Sequence, residues 1–195
     1  MAERDGCMNF NLYMPVRVIS GEGCVTAHKG LMKELGQRCL IITGKHAAAA
    51  SGALADITRA LDELGIAYLQ YDKIVENPTL ESAYEAGQLA HSSQADFFIG
   101  IGGGSVLDAT KAAALFAANP GLAPMDIYNP SAWRNPALSW VAVGTTAGTG
   151  SEVTAVSVLT LSQPHIKKSI THPALYAKIA YADPLYTHSC SQNLT

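Results

Sequence analysis

The sequence predicts an α/β protein: a doubly wound, mainly parallel sheet with a β-hairpin appended. Three observations lead there. Short apolar runs at residues 16–19, 39–43, 67–71 and 97–101 alternate with helical patterns long enough to return each strand parallel to the last. Two of these runs, CLIIT and FFIGI, read as buried strands. Glycine then closes both, Gly44 after the first and Gly102, Gly103 and Gly104 after the second. Small residues therefore stand at the strands' carboxyl ends, where such sheets bind ligands.

The first strand, 16–19, leads into a helix over about residues 25–35 that ends at Gly36. After the 39–43 strand comes a helix over 47–64, with Leu54, Ile57, Leu61 and Leu64 on one stripe and Gly65 as its stop. Residues 67–71 form the third strand. Pro78 cannot sit inside a helix and Thr79 can cap one, so Asn77-Pro78-Thr79 opens the next helix. The 97–101 strand runs through the glycines into a helix over 105–118. Residues 119–136 hold four prolines and no periodicity, and read as a long loop. Residues 140–143 return to strand. Residues 156–161 and 167–171 pair as a hairpin across 162–166, where Pro164 excludes regular pairing, and 179–182 is the last strand.

At 195 residues, 48% hydrophobic and 15% charged, the chain can bury a substantial core. A net charge of −3 without a basic cluster argues against nucleic acid and anionic membranes as partners. No apolar run approaches the roughly 20 residues that span a bilayer. MAERDGCMNF has no apolar signal core, so a cytoplasmic location is expected. Cys7, Cys24, Cys39 and Cys190 read as separate reduced thiols, two of them buried. No two of the six histidines have the i, i+4 spacing of a helical metal site, and HExxH is absent. His165 and His172 read as surface residues, and no metal site is expected in this sequence.

The stretch 96–111, DFFIGIGGGSVLDATK, makes an anion site. Its glycines let the backbone approach a ligand, and the N–H groups of the helix's first turn point at it. The expected ligand is a nucleotide phosphate. Gly100-Ile101-Gly102-Gly103-Gly104-Ser105 departs from the dinucleotide fingerprint G-x-G-x-x-G at its last position and lies far from the first strand. Ser105-Val106-Leu107-Asp108 has the spacing of a capping box, in which Asp108 returns to the Ser105 N–H. Asp108 beside the nicotinamide of a bound cofactor is the functional alternative, compatible with the first. Lys111, two turns in from the loop start, is within reach of phosphate but reads first as a solvated or ion-paired helix lysine.

A second loop, GTTAGTGSE at 144–152, is dense in glycine and hydroxyls. Thr145, Thr146 and Thr149 suit ribose and phosphate oxygens, and with no Lys after its last glycine it is not a Walker A loop. Lys167 and Lys168 lie on the hairpin, as surface charges or facing phosphate. Gly44-Lys45-His46 is sharper. NAD-specific folds place an acid at this strand end for the ribose hydroxyls, whereas a glycine followed by a cation favours the extra phosphate of NADP.

Together these loops resemble the iron-containing (group III) alcohol dehydrogenases. The matching stretches are IGGGSVLDATK at 101–111, TTAGTGSEVT at 145–154 and ENPT at 76–79, with weaker matches in ITGKHAAAASG at 42–52 and IAYADPLYT at 179–187. The resemblance implies an α/β dinucleotide-binding domain over residues 1–182. Residues 183–195 would then begin the linker to a helical metal-binding domain that this sequence lacks. By motif, Gly102, Gly103, Gly104 and Ser105 hold the pyrophosphate and Asp108 sits near the nicotinamide. Asn77, Thr145, Thr146, Thr149, Thr154, Lys167 and Leu185 line the rest of the crevice. Gly44 and Lys45 mark an NADP form where many members carry aspartate, NAD remaining compatible. The family's iron or zinc ligands, one aspartate and three histidines, belong to the absent domain, so neither a catalytic nor a metal residue is expected here.

The implied activity of the complete protein interconverts a short-chain primary alcohol or diol with its aldehyde, this chain alone being inactive. The implied partner is that small molecule, and a homo-oligomer is compatible. The alternatives are a stand-alone dinucleotide-binding module without catalysis, or a glycerol dehydrogenase-like relative.

Overall fold

A computed structural model describes residues 13–190. In chain order its regular elements are β1 (Arg17–Ser20), α1 (Cys24–His28), β2 (Arg38–Thr43), α2 (Ala47–Ala50), α3 (Ala53–Leu64), β3 (Ala67–Tyr71), α4 (Leu80–Ser92), β4 (Phe97–Gly102), α5 (Gly104–Ala118), β5 (Ser139–Gly144), β6 (Val156–Leu161), β7 (Ile166–Thr171) and β8 (Ile179–Ala182). Six strands form one sheet in the order β1-β8-β5-β4-β2-β3, every neighbouring pair parallel. β6 and β7 pair antiparallel as a separate hairpin, and the expected α/β architecture is the observed one.

Successive strand residues go to opposite faces, and both faces are covered, which is why β2 and β4 are apolar throughout. Leu40, Ile42, Phe98, Trp140 and Ala142 pack with α4 and α5. Cys39, Ile41, Phe97, Ile99 and Val141 pack with α1 and α3 on the other side. α5 is enclosed twice, since its outer face, with Ala112, Leu115 and Phe116, packs against Leu159 and Leu161 of β6 and Ile170 of β7. A helix between sheet and hairpin has no solvent face, so residues 109–117 are all buried. Its neighbour α4 comes so close that a Cβ on Gly87 would stand 2.5 Å from Phe116 Cβ.

Three expectations about helices change. The helix over 47–64 is broken at Gly52, which is left-handed at φ 83° and starts α3 afresh. The helix over 25–35 becomes the short α1 followed by a 3-10 segment, Lys29–Glu34. The 119–136 loop carries 3-10 turns at Pro124–Tyr128 and Pro130–Ala132. Asn119 ties that loop down, its side chain donating to Leu115 O and Asn135 O and accepting from the N–H groups of Arg134 and Asn135. Among the described residues no helix is long and apolar enough to cross a membrane.

Candidate cofactor-binding site

From β2 the chain moves outward to β3, then returns to place β4 on the other side of β2. The loops leaving β2 and β4 therefore diverge, and divergence at the carboxyl ends of parallel strands opens a crevice. That crevice has a volume of about 710 Å³. Gly44, Lys45 and His46 line it after β2, residues 74–77 after β3, residues 103–106 after β4, and Thr145 and Thr146 after β5, with Ser189 and Cys190 completing it.

α5 starts at the crevice without a side-chain cap and without an acid in its first turn. Its first amide groups are thus left to an anion, with the positive end of the helix dipole behind them. The capping box does not form. Gly103, not Ser105, is the N-cap, so Ser105 lies inside the helix and its Oγ accepts from the Asn77 N–H at 3.3 Å.

The three glycines answer to their own neighbours as much as to a ligand. A Cβ on Gly102 would lie 2.6 Å from Val106 Cγ2, one on Gly103 2.8 Å from Thr146 Oγ1, and one on Gly104 3.1 Å from Thr149 Cγ2. Thr145 is anchored by its N–H to Gly102 O at 3.1 Å, and Cys190 donates its thiol to Thr145 O at 3.1 Å. The Thr145 hydroxyl is buried with no hydrogen-bond partner, in a residue that lines the crevice.

A smaller cleft of about 250 Å³ adjoins the crevice through Asn77 and Ser105, and is lined further by Pro78, Asp108, Val158, Thr160 and Lys167. The Thr160 hydroxyl is also buried and unpartnered. Asp108 Oδ1 accepts from Ser151 Oγ at 2.6 Å and from Lys111 Nζ at 3.2 Å, and Oδ2 accepts from the Val158 N–H at 3.0 Å.

Lys111 is ion-paired, as one of its readings had it, but it is not solvated. It has no exposure at all, and its ammonium also donates to Ser151 Oγ at 2.7 Å and Val156 O at 2.6 Å. Burial pulls its pKa below the ordinary lysine value, and the Asp108 carboxylate opposes that shift.

Of the residues singled out from sequence, Gly44, Lys45, Asn77, Gly103, Gly104, Ser105, Thr145 and Thr146 meet in the crevice. Asp108 and Lys167 meet in the adjoining cleft. Gly102 is buried at the end of β4, Thr149 is packed on Gly104, and Thr154 Oγ1 lies 3.5 Å from Lys111 Nζ. Leu185, 45% exposed, sits apart on a 3-10 turn, Pro184–Thr187. That turn is docked on the domain, with Tyr186 OH donating to Asp56 Oδ2 at 2.9 Å and the Gly23 N–H to Asp183 Oδ2 at 2.7 Å. His46, read with Gly44 and Lys45, joins them there; Val106, Ile74, Val75, Ser189 and Cys190 also line the crevice without being singled out. Val106, Ile74 and Val75 lie in or beside predicted motifs, whereas nothing in the sequence marks Ser189 or Cys190.

Among the described residues no three His, Cys, Asp or Glu side chains cluster as a metal-ligand set. The side chains present therefore do not fit an iron or zinc centre.

The profile of the iron-containing alcohol dehydrogenase family matches residues 15–184. The chain belongs to that family. It is 36% identical over 179 residues to the mitochondrial hydroxyacid-oxoacid transhydrogenase of Caenorhabditis elegans, a match covering 85% of this chain and 38% of that protein. An iron-containing alcohol dehydrogenase structure from Thermotoga maritima has a TM-score of 0.88 at 35% identity, over 95% of this chain and 51% of that one. The sulfoacetaldehyde reductase of Bifidobacterium kashiwanohense, solved in complex with NAD+, has a TM-score of 0.84 at 28% identity, over 96% of this chain and 49% of that one. The chain thus spans about half of these structures, and less of the transhydrogenase. The iron-containing alcohol dehydrogenases are a family of oxidoreductases, and the six-stranded sheet described above is their N-terminal α/β fold.

Proposed function

We propose that this chain is the cofactor-binding part of an NAD(P)-dependent, metal-dependent alcohol dehydrogenase that interconverts a short-chain primary alcohol or diol with its aldehyde. The observation that carries the reading is the open start of α5, uncapped and free of acids, where β2 and β4 diverge. An uncapped helix start favours a pyrophosphate, which Gly103, Gly104 and Ser105 hold. The buried Thr145 hydroxyl finds its missing partner in the ligand, with Thr146 beside it. Gly102, Thr149 and Thr154 support these contacts from behind, and Leu185 lies apart from the crevice lining.

The nicotinamide end enters the smaller cleft, where Asp108 accepts a ligand N–H and Asn77 and Lys167 meet the ribose. A dinucleotide held by these residues would supply hydride transfer at its nicotinamide ring. The adenosine end lies toward Gly44 and Lys45, with Ala47, Ala50, Ile74 and Val75 as an apolar wall. Residues 13–190 hold no ligand set for the family's iron or zinc, and these residues act by binding and orienting only.

NADP is the preferred cofactor in this reading. Lys45 and His46, both exposed, stand after β2, and the acid in the crevice lining, Glu76, comes after β3. A cation at the β2 end attracts a ribose phosphate that a carboxylate there would repel. The substrate keeps the hydroxyl–carbonyl couple implied by the names of both the transhydrogenase and the sulfoacetaldehyde reductase. The cytoplasmic location is retained as part of the proposal, although the C. elegans relative is named mitochondrial.

The deciding experiment is calorimetric titration of the purified chain with NADPH and, separately, NADH. Tighter binding of NADPH is the expected result. Equal affinities would remove the NADP preference and leave the dinucleotide site. No binding of either to the folded chain would overturn the reading.

A further inference from the structure

We infer that Lys111 is the positioning residue of the nicotinamide-side cleft: its buried ammonium, held by Ser151 and Val156, fixes the Asp108 carboxylate that faces that cleft. The inference rests on the cofactor reading above.

A lysine without solvent exposure persists only where its charge is paired and its N–H groups are used. Lys111 meets both conditions, with Asp108 Oδ1, Ser151 Oγ and Val156 O as its three near acceptors. An ammonium has three N–H donors, so none is left for a ligand. Lys111 therefore acts through its partners.

One partner faces the cleft. Asp108 Oδ1 is filled by Lys111 and Ser151, and Oδ2 takes the Val158 N–H. That leaves one acceptor direction on Oδ2, on a side chain 15% exposed that lines the cleft. Ser151 carries the second connection. Its N–H donates to Thr149 Oγ1 at 3.3 Å, and Thr149 packs on Gly104, the first residue of α5. The third, Val156 O, starts β6, two residues before the Val158 N–H that meets Asp108. One cation thus ties together α5, the turn after β5, and β6. Without it Asp108 keeps only the Ser151 and Val158 hydrogen bonds, and its carboxylate loses the charge that balances it and fixes its rotation toward the cleft.

The test compares two ligands on the same variant. ADP-ribose carrying the same 2′ group as the preferred cofactor fills the crevice but has no nicotinamide. The complete reduced dinucleotide also brings its nicotinamide to Asp108. Lys111→Met keeps the apolar stem and removes the charge. It is expected to weaken the dinucleotide about tenfold, the scale of one lost charge-assisted hydrogen bond to the ligand, while the ADP-ribose ligand stays within about twofold by the same arithmetic. Equal weakening of both ligands, or of neither, would overturn the inference.

If Lys111→Met does not fold, Ser151→Ala leaves the ion pair in place and removes its hydroxyl bridge. It is expected to weaken the dinucleotide about threefold, again sparing ADP-ribose; an unchanged ratio between the two ligands overturns the inference. If the folded wild-type chain binds neither ligand, the cofactor reading falls and this inference with it. Wild-type binding followed by unselective loss rejects the Lys111 role alone.

Discussion

Gly103 is packed against Thr146 so closely that a Cβ on Gly103 would stand 2.8 Å from Thr146 Oγ1 and 3.3 Å from its Cγ2. The contact joins the two loops that face each other across the crevice. Gly103→Ala should therefore displace the 144–152 loop, costing about 1–3 kcal/mol of stability by overpacking and weakening dinucleotide binding. Adding Thr146→Ala removes both clashing atoms and should recover most of the stability but not the affinity. Thermal melting and calorimetry read the two effects, and a Gly103→Ala variant that melts like the wild type would refute the packing account.

Lys45 offers the cleaner probe of cofactor choice. At Gly44 any side chain brings its Cβ to 3.1 Å from the backbone oxygen of Ile74, so an aspartate there adds strain as well as charge. Lys45 is exposed and can be exchanged without that complication. Lys45→Glu should lower the ratio of NADPH to NADH affinity by about tenfold, the scale of reversing one charge near a phosphate in a partly solvated site. Binding constants for both nucleotides decide it, and an unchanged ratio would exclude Lys45 as a determinant.

Cys39 should make stability fall at alkaline pH. Burial, with the Asp96 charge adding to it, raises its thiol from 9.0 to about 12. The unfolded chain then loses this proton above pH 9 while the folded chain keeps it. The contribution is complete below pH 9 and is lost as pH rises toward 12. At pH 10 the loss should be on the order of 1 kcal/mol, from the difference in proton uptake of the two states. Urea unfolding of the wild type and of Cys39→Val at pH 8 and pH 10 isolates it, since the other titrating groups are common to both. Parallel loss in the two proteins would show that the thiol contributes nothing.

Cys190 should report occupancy of the crevice. It is half-buried, lines the crevice and donates to Thr145 O, while Cys24 and Cys39 are buried. Saturating dinucleotide should slow iodoacetamide labelling of Cys190, followed by peptide mass mapping, which also separates Cys7, a residue outside those described. A labelling rate indifferent to nucleotide would place the ligand elsewhere.

The strands were readable because parallel strands buried on both faces need continuous apolar sequence, as CLIIT and FFIGI show. The break at Gly52 had a signal, an isolated glycine in a helical pattern, but the hydrophobic stripe outweighed it. Ser105 and Asp108 misled for a different reason. Their spacing fits a capping box, yet the atoms that claim Asp108 belong to Ser151 and Val158, 43 and 50 residues away. The ion pair of Lys111 is one of the readings its position allows; its burial also has a signal, since the alanines and leucine around it announce a helix with no exposed side.

By itself the sequence determined what depends on near neighbours: which segments are strand or helix, where glycine and proline end them, and which loops carry small and hydroxylated residues. The order of strands, with β1 and β8 side by side at the edge, and the burial of the Lys111–Asp108 pair beneath the hairpin were decided only by the tertiary structure. Those features arise when surfaces distant in the chain exclude water together. Packing, not spacing, chooses the partner of a buried charge.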